Sequence, residues 1–185
     1  IEGQGTWLSS DAPADVAVSS RGLDRIASVS PADLVATVEA GVAIGALRRR
    51  LADDGMWLAI DPPGRPERSL GSVVAAGTSG PLRQGFGPVR DHVLGLTVAT
   101  GDGRVVRAGG RVVKNVAGYD LGKLQIGGFG GFGVIPELSL RLRALPRADQ
   151  TFIARASRDH LTSGARDLTD ARLSLQALEL FSPAI

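Results

Sequence analysis

Apolar and polar positions along the chain change period several times, and each change marks an element. Over residues 34–40, Leu34, Ala36 and Val38 alternate with Val35, Thr37 and Glu39, a period of two that predicts a strand. At Ala43 the period lengthens. Ile44, Leu47 and Leu51 fall at i, i+3 and i+7 with Arg48, Arg49 and Arg50 beside them, and Gly55 supplies the stop, so residues 43–54 read as a helix with one wet face. Residues 61–80 (DPPGRPERSLGSVVAAGTSG) open with helix breakers and close with small residues, so a helix there is short and starts near Ser69. Residues 93–100 and 104–107 read as a hairpin turning at Asp102-Gly103. A turn or two of helix is expected over 121–126. Leu138, Leu140 and Leu142 alternate with Ser139, Arg141 and Arg143, a strand with one wet face. Further strands are expected over 15–20, 152–156 and 175–181, and a helix over 159–173.

Composition narrows the class. Hydrophobic residues make up 43% and charged residues 22%, the balance of a folded globular protein. A net charge of +2 argues against a dedicated nucleic-acid protein but suits a small phosphorylated ligand. There is no cysteine, which excludes disulfides, thiolate metal sites, cysteine nucleophiles and cysteinyl-flavin links. Two isolated histidines give no metal site. No apolar run approaches the roughly 18 residues of a membrane helix, so no integral membrane segment is expected. The default location is cytoplasmic.

Glycine changes the picture most. Its 25 copies are nearly twice the usual share of about 7%, and they cluster in four loops: Gly3-Gln4-Gly5-Thr6, Leu70-Gly71-Ser72, Ala76-Gly77-Thr78-Ser79-Gly80, and GGFGGFG at 127–133. The last contains G-x-G-x-x-G at Gly128, Gly130 and Gly133. A Rossmann loop follows a strand and opens a helix, whereas this one follows a helical segment and opens a strand. Two readings remain: a structural turn packed against Phe129 and Phe132, or a nest of backbone N–H groups binding an anion without a helix dipole. Several separated loops of this kind suit one long ligand, with Thr6, Thr78 and Ser79 adding hydroxyl donors.

Together, VVAAGTSGPLRQGFGPVRDHVLGLTVATGDGRVV and GGRVVKNVAGYDLGKLQIGGFGGFGVIPELSLRL resemble the FAD-binding domain of the vanillyl-alcohol-oxidase (PCMH) type and, within it, the FAD-binding subunits of bacterial glycolate oxidases. The resemblance covers roughly residues 3–146. It implies an α+β fold, a PCMH-type FAD-binding domain of two α/β subdomains followed by the start of an α+β cap. Residues 1–146 would be the FAD domain lacking its N-terminal element, and 147–185 the beginning of a truncated cap. The implied cofactor is non-covalent FAD. Gly3, Gln4, Gly5 and Thr6 would hold pyrophosphate. Pro63, Ser69, Leu70 and Gly71 match a second segment, and Gly77, Thr78, Ser79 and Gly80 a loop near the flavin. Gly130, Gly133, Val134 and Ile135 match a late loop touching the cofactor through main chain.

The implied activity is oxidation of a 2-hydroxy acid such as glycolate by hydride transfer to FAD. Implied partners are other oxidase subunits, a second flavoprotein and an iron–sulfur subunit, with attachment to the inner membrane through them. Departures from the family pattern are Glu2 in place of Arg, Gly131 in place of Thr, and Phe129 and Phe132 in place of smaller or aliphatic residues. They support an alternative, a degenerate flavin-fold subunit that stabilises a complex. No catalytic base is identified. Asp91 either forms a plain surface pair with Arg90 or sits buried and organises the glycine loops. Lys114, Asn115 and Tyr119 either face the ligand cleft or belong to a solvated turn and core packing. His92 reads as a packed or surface residue, and His160 as a solvated one.

Overall fold

A computed structural model describes residues 1, 3, 15–110 and 122–181. Its centre is a five-stranded antiparallel sheet of spatial order β1-β2-β6-β4-β5. The strands are β1 (Ile26–Ser30), β2 (Val35–Glu39), β4 (Val93–Ala99), β5 (Val105–Gly109) and β6 (Val134–Arg141). Two residue pairs, β3 (Met56–Trp57) and β7 (Arg143–Ala144), form a second, small sheet. Five helices complete the described chain: α1 (Ile44–Asp53), α2 (Leu70–Ala76), α3 (Arg83–Phe86), α4 (Gly122–Gln125) and α5 (Arg158–Asp170), with a 3-10 turn at Val89–His92.

Register decides which side of the sheet is the core. Ala36 faces Leu140, and Val38 faces Leu138, which in turn faces Leu96. Directly paired residues share a face, so one period-two set from three strands makes a single apolar surface. Leu47 and Leu51 of α1 and Leu70, Val73 and Val74 of α2 complete the same buried cluster. The other face carries Ser28, Thr37, Ser139, Glu137 and Thr97. There Glu39 accepts hydrogen bonds from the Arg25 backbone N–H at 2.8 Å and from its guanidinium at 2.7 Å, which hold the Glu39 carboxyl below its ordinary range.

The helix at α1, its Gly55 stop at φ +68°, the hairpin with Gly103 at φ +81°, and the turn of helix at α4 all match the periodicity. Pro136 lies within β6, a central strand, and its carbonyl accepts from Ala40 at 2.9 Å. The β4–β6 ladder is irregular there, between Thr97 and Ala99, which is where a residue lacking N–H is tolerated.

The structure departs from the sequence reading at five points. Leu34 is outside its strand, in a turn at φ +55°, and β2 begins at Val35. Residues 15–20 form no strand: Val16 is 75% exposed. The edge strand is instead β1, whose Ile26 and Val29 pack against the core. Residues 152–156 and 175–181 are also not strands. Phe152 is 89% exposed and Phe181 is 77% exposed, with no sheet edge beside them. The fifth is α3, which the pattern gave no sign of. The helix expected over 159–173 is present as α5, capped by Ser157, with no buried residue.

Candidate functional site

Helix α2 organises the glycine loops. Its Ser69 N-cap accepts from Ser72 N–H, and Gly3 lies against that turn: a Cβ at Gly3 would come to 2.6 Å from Ser69 Oγ. At the other end Gly77 closes the helix in the left-handed region at φ +63°. The loop at 127–133 docks onto the last turn, with Gly127 N–H donating to Val74 at 3.2 Å and Phe129 N–H to Ala75 at 2.8 Å. Seven helical residues rise about 10 Å, so loops gathered at both ends bracket a span suited to an extended ligand.

Hydrogen bonding then separates structural glycine-loop amides from open ones. Leu70 and Gly71 N–H donate to Val42 and Ala40 carbonyls at 2.8 and 2.7 Å, tying α2 to the β2–α1 connection. Gly77 and Thr78 N–H return to Val74 and Val73 at 3.0 and 3.1 Å and close the helix. In the last loop Gly128, Gly131 and Gly133 N–H bond to Gln125, Gly128 and Gly130. The amides of Gly71, Gly77 and Thr78 and most of those over 127–133 are thus engaged by the chain itself. These amides satisfy the chain's own carbonyls and so close the turns.

Ser79 and Gly80 differ. Neither N–H bonds to any described residue. Ser79 Oγ accepts from Val89 N–H at 3.0 Å, which leaves its hydroxyl hydrogen free to donate. Both residues line a groove of ≈ 750 Å³ with Asp61, Pro63, Pro81 and Arg83, a size within the range of small-molecule sites. Arg68, only 1% exposed, fixes the groove wall to α2: it donates to the Pro63 carbonyl at 2.8 Å and to Ser72 Oγ at 3.2 Å. Burial lowers its guanidinium from the ordinary value. Gly80 packs so tightly on Asp61 that a Cβ would run into the Asp61 carbonyl.

Among predicted site residues, Pro63, Ser79 and Gly80 share this groove, and Gly3, Ser69, Leu70, Gly71, Gly77 and Thr78 flank α2. Gly130 sits near Ile1 Cδ1, 3.0 Å from a Cβ built on it. Gly133 packs on Val98 and Ala99, and Ile135 belongs to the core. Gln4, Gly5, Thr6, Lys114, Asn115 and Tyr119 lie outside the described residues. Asp91 is not gathered in: its side chain is 51% exposed, 4.0 Å from Arg90, and lines a separate pocket of ≈ 200 Å³. Among the described residues no backbone N–H donates to the Asp91 carboxylate. Sequence reading missed Asp61 and Arg83. The Asp61 carboxylate accepts from Leu82 N–H at 3.1 Å, 21 residues on in the chain, a long-range contact that local turn signals do not report.

His92 is buried, and neither ring nitrogen has a hydrogen-bond partner among the described residues. Desolvation, then the nearby Arg143, lowers it from its ordinary value, against the smaller upward pull of Asp91. A lowered folded value leaves His92-dependent stability complete above the unfolded value, near 6.5, and removes it as pH falls through the folded value. His92→Leu is expected to flatten the fall in urea midpoint between about pH 6.5 and the acid limb. An unchanged pH slope would show that another group sets it.

These features define a class: a mixed α/β domain that gathers glycine-rich loops at the two ends of one short helix, outside the Rossmann arrangement. FAD fits them. Residues 1–109 match the FAD binding domain family, and the chain belongs to that family. It is 41% identical over 124 residues to glycolate oxidase subunit GlcE of Escherichia coli (strain K12), covering 66% of this chain and 35% of that protein. It is 36% identical over 125 residues to the mitochondrial D-lactate dehydrogenase [cytochrome] of Arabidopsis thaliana, covering 68% and 22%. Glycolate oxidase subunit GlcD of Bacillus subtilis (strain 168) is 30% identical over 132 residues, covering 71% and 28%. The chain thus spans about a third or less of these relatives. Solved alkyldihydroxyacetonephosphate synthase shares the fold, with TM-score 0.62 and 23% identity over 70% of this chain and 23% of that one. The expected PCMH-type fold and the FAD cofactor both stand. No helix among the described residues is long and apolar enough to cross a membrane.

Proposed function

We propose that the full-length protein is an FAD-dependent oxidoreductase subunit that oxidises a small 2-hydroxy acid such as glycolate or lactate. The observation that carries this is the pair of open main-chain donors at Ser79 and Gly80 in a groove beside α2, on a chain whose relatives are named for glycolate and D-lactate oxidation. Bound non-covalently, FAD supplies a two-electron acceptor. The substrate loses its α-hydrogen as hydride and its hydroxyl proton, leaving a 2-oxo acid. The chain's own part is to hold and orient: Ser79 and Gly80 donate to the cofactor, and Arg68 keeps the Pro63 wall in place. Electrons then leave to partner subunits, a second flavoprotein and an iron–sulfur subunit, in a cytoplasmic assembly held at the inner membrane through them.

The test is anaerobic addition of glycolate and of D-lactate to the purified full-length protein with its partner subunits. Bleaching of the flavin absorbance is expected with one of them. A second reading has its own observation: the loop at 127–133 engages most of its amides internally and leaves Phe129 66% exposed, which suits a degenerate subunit with a structural role. Flavin that neither acid bleaches in the assembled complex would favour it.

A further inference from the structure

We infer that Arg83 anchors the carboxylate of the 2-hydroxy acid; the inference rests on the oxidoreductase reading and adds a residue to it. Among the described residues Arg83 is the cation that lines the ≈ 750 Å³ groove; it is exposed, and its guanidinium makes no hydrogen bond or ion pair with any of them. Several other arginines are committed. Arg25 pairs with Glu39, Arg50 with Asp54, Arg104 with Asp102, and Arg48 donates to the Ile60 carbonyl.

The backbone beneath Arg83 is held on several sides. Asp61 takes the Leu82 N–H, and Gly85 N–H donates to the Gln176 carbonyl at 3.1 Å. Phe86 meets Trp57 edge to face with ring centroids 5.1 Å apart, and the Arg143 guanidinium lies 5.0 Å from the Phe86 ring centre. The backbone is thus fixed at Leu82 and Gly85, while the exposed guanidinium it carries is left open to a small anion.

Two carboxylates, Asp61 and Glu179, also line the groove; Asp61 accepts from the Leu82 amide, and neither lies within ion-pair distance of Arg83. Ser79 and Gly80, proposed above as cofactor donors, line the same groove a few residues before Arg83. A guanidinium there meets a small carboxylate in the two-pronged geometry that arginine provides and lysine does not. Gln84, also on the groove, offers an amide to the substrate hydroxyl.

The test uses Arg83→Met and Arg83→Lys in the full-length protein with its partner subunits. Calorimetric titration with oxalate, a non-oxidisable analogue of the acid, reads the site whether or not flavin is bound. Arg83→Met is expected to weaken oxalate binding and raise KM about 10- to 100-fold while kcat falls far less and flavin content stays at the wild-type level. Arg83→Lys should fall between, and added guanidinium should restore part of the Met variant's oxalate binding. Oxalate affinity within twofold of wild type in Arg83→Met overturns the inference, and so does loss of flavin, which would give Arg83 to the cofactor. Wild-type protein that binds oxalate through Arg83 but no flavin would overturn the oxidoreductase reading alone.

Discussion

Gly80→Val is expected to strip FAD from the full-length protein. A Cβ at Gly80 meets the Asp61 carbonyl below any contact distance and lies 2.5 Å from Asp61 Oδ1. Neither obstacle is a flexible side-chain end: the carbonyl is backbone, and the carboxylate is held by Leu82 N–H at 3.1 Å. The loop must therefore move, and with it the two main-chain donors that face the groove. Overpacking strain of this kind costs about 1–3 kcal/mol, and displaced donors add their own loss. FAD affinity should fall by about 10- to 100-fold or more, since each 1.4 kcal/mol is roughly a factor of ten. Flavin absorbance per protein after gel filtration measures it, with far-UV circular dichroism confirming that the sheet persists. A flavin-replete Val variant with wild-type affinity would remove Ser79 and Gly80 from the site.

Much of the sheet was legible because its signals are local. Alternation at Ala36 and Val38 and at Leu138 and Leu140 names the buried face outright, and Asp102-Gly103 marks the hairpin. The strands predicted at 15–20, 152–156 and 175–181 failed because short apolar runs say nothing about whether a partner edge exists. Conversely, β1 (IASVS) is too rich in small residues to announce itself, and it forms because β2 offers an edge. The glycine loops were visible as candidates, but glycine count cannot tell an open N–H from an engaged one. That distinction depends on carbonyls far away in sequence, such as Ala40 and Val42 for Gly71 and Leu70. Arg83 escaped notice for the same reason: its lack of a partner is a property of its surroundings, and nothing in the string PLRQGF reports it.

Leu138→Ala is expected to cost about 3–4 kcal/mol of folding stability. Leu138 is fully buried at the middle of β6, opposite Val38 on one side and Leu96 on the other. It belongs to the same core cluster as Val73 and Val74 of α2. The cavity would therefore open in the core beneath the helix that gathers the glycine loops. Against a total of about 5–15 kcal/mol for a domain, the loss should be visible as a large drop in urea midpoint. The consequence for flavin differs in kind from that of Gly80→Val. Leu138 is not among the residues that line the groove, so the folded fraction should keep the groove, and excess FAD should pull the population back toward it by mass action. Raising FAD from well below to well above its Kd should recover midpoint in Leu138→Ala, whereas Gly80→Val should recover little because its folded state has lost the contacts. If FAD fails to raise the Leu138→Ala midpoint, then the core under α2 and the cofactor site are one cooperative unit, and the two substitutions damage the same thing.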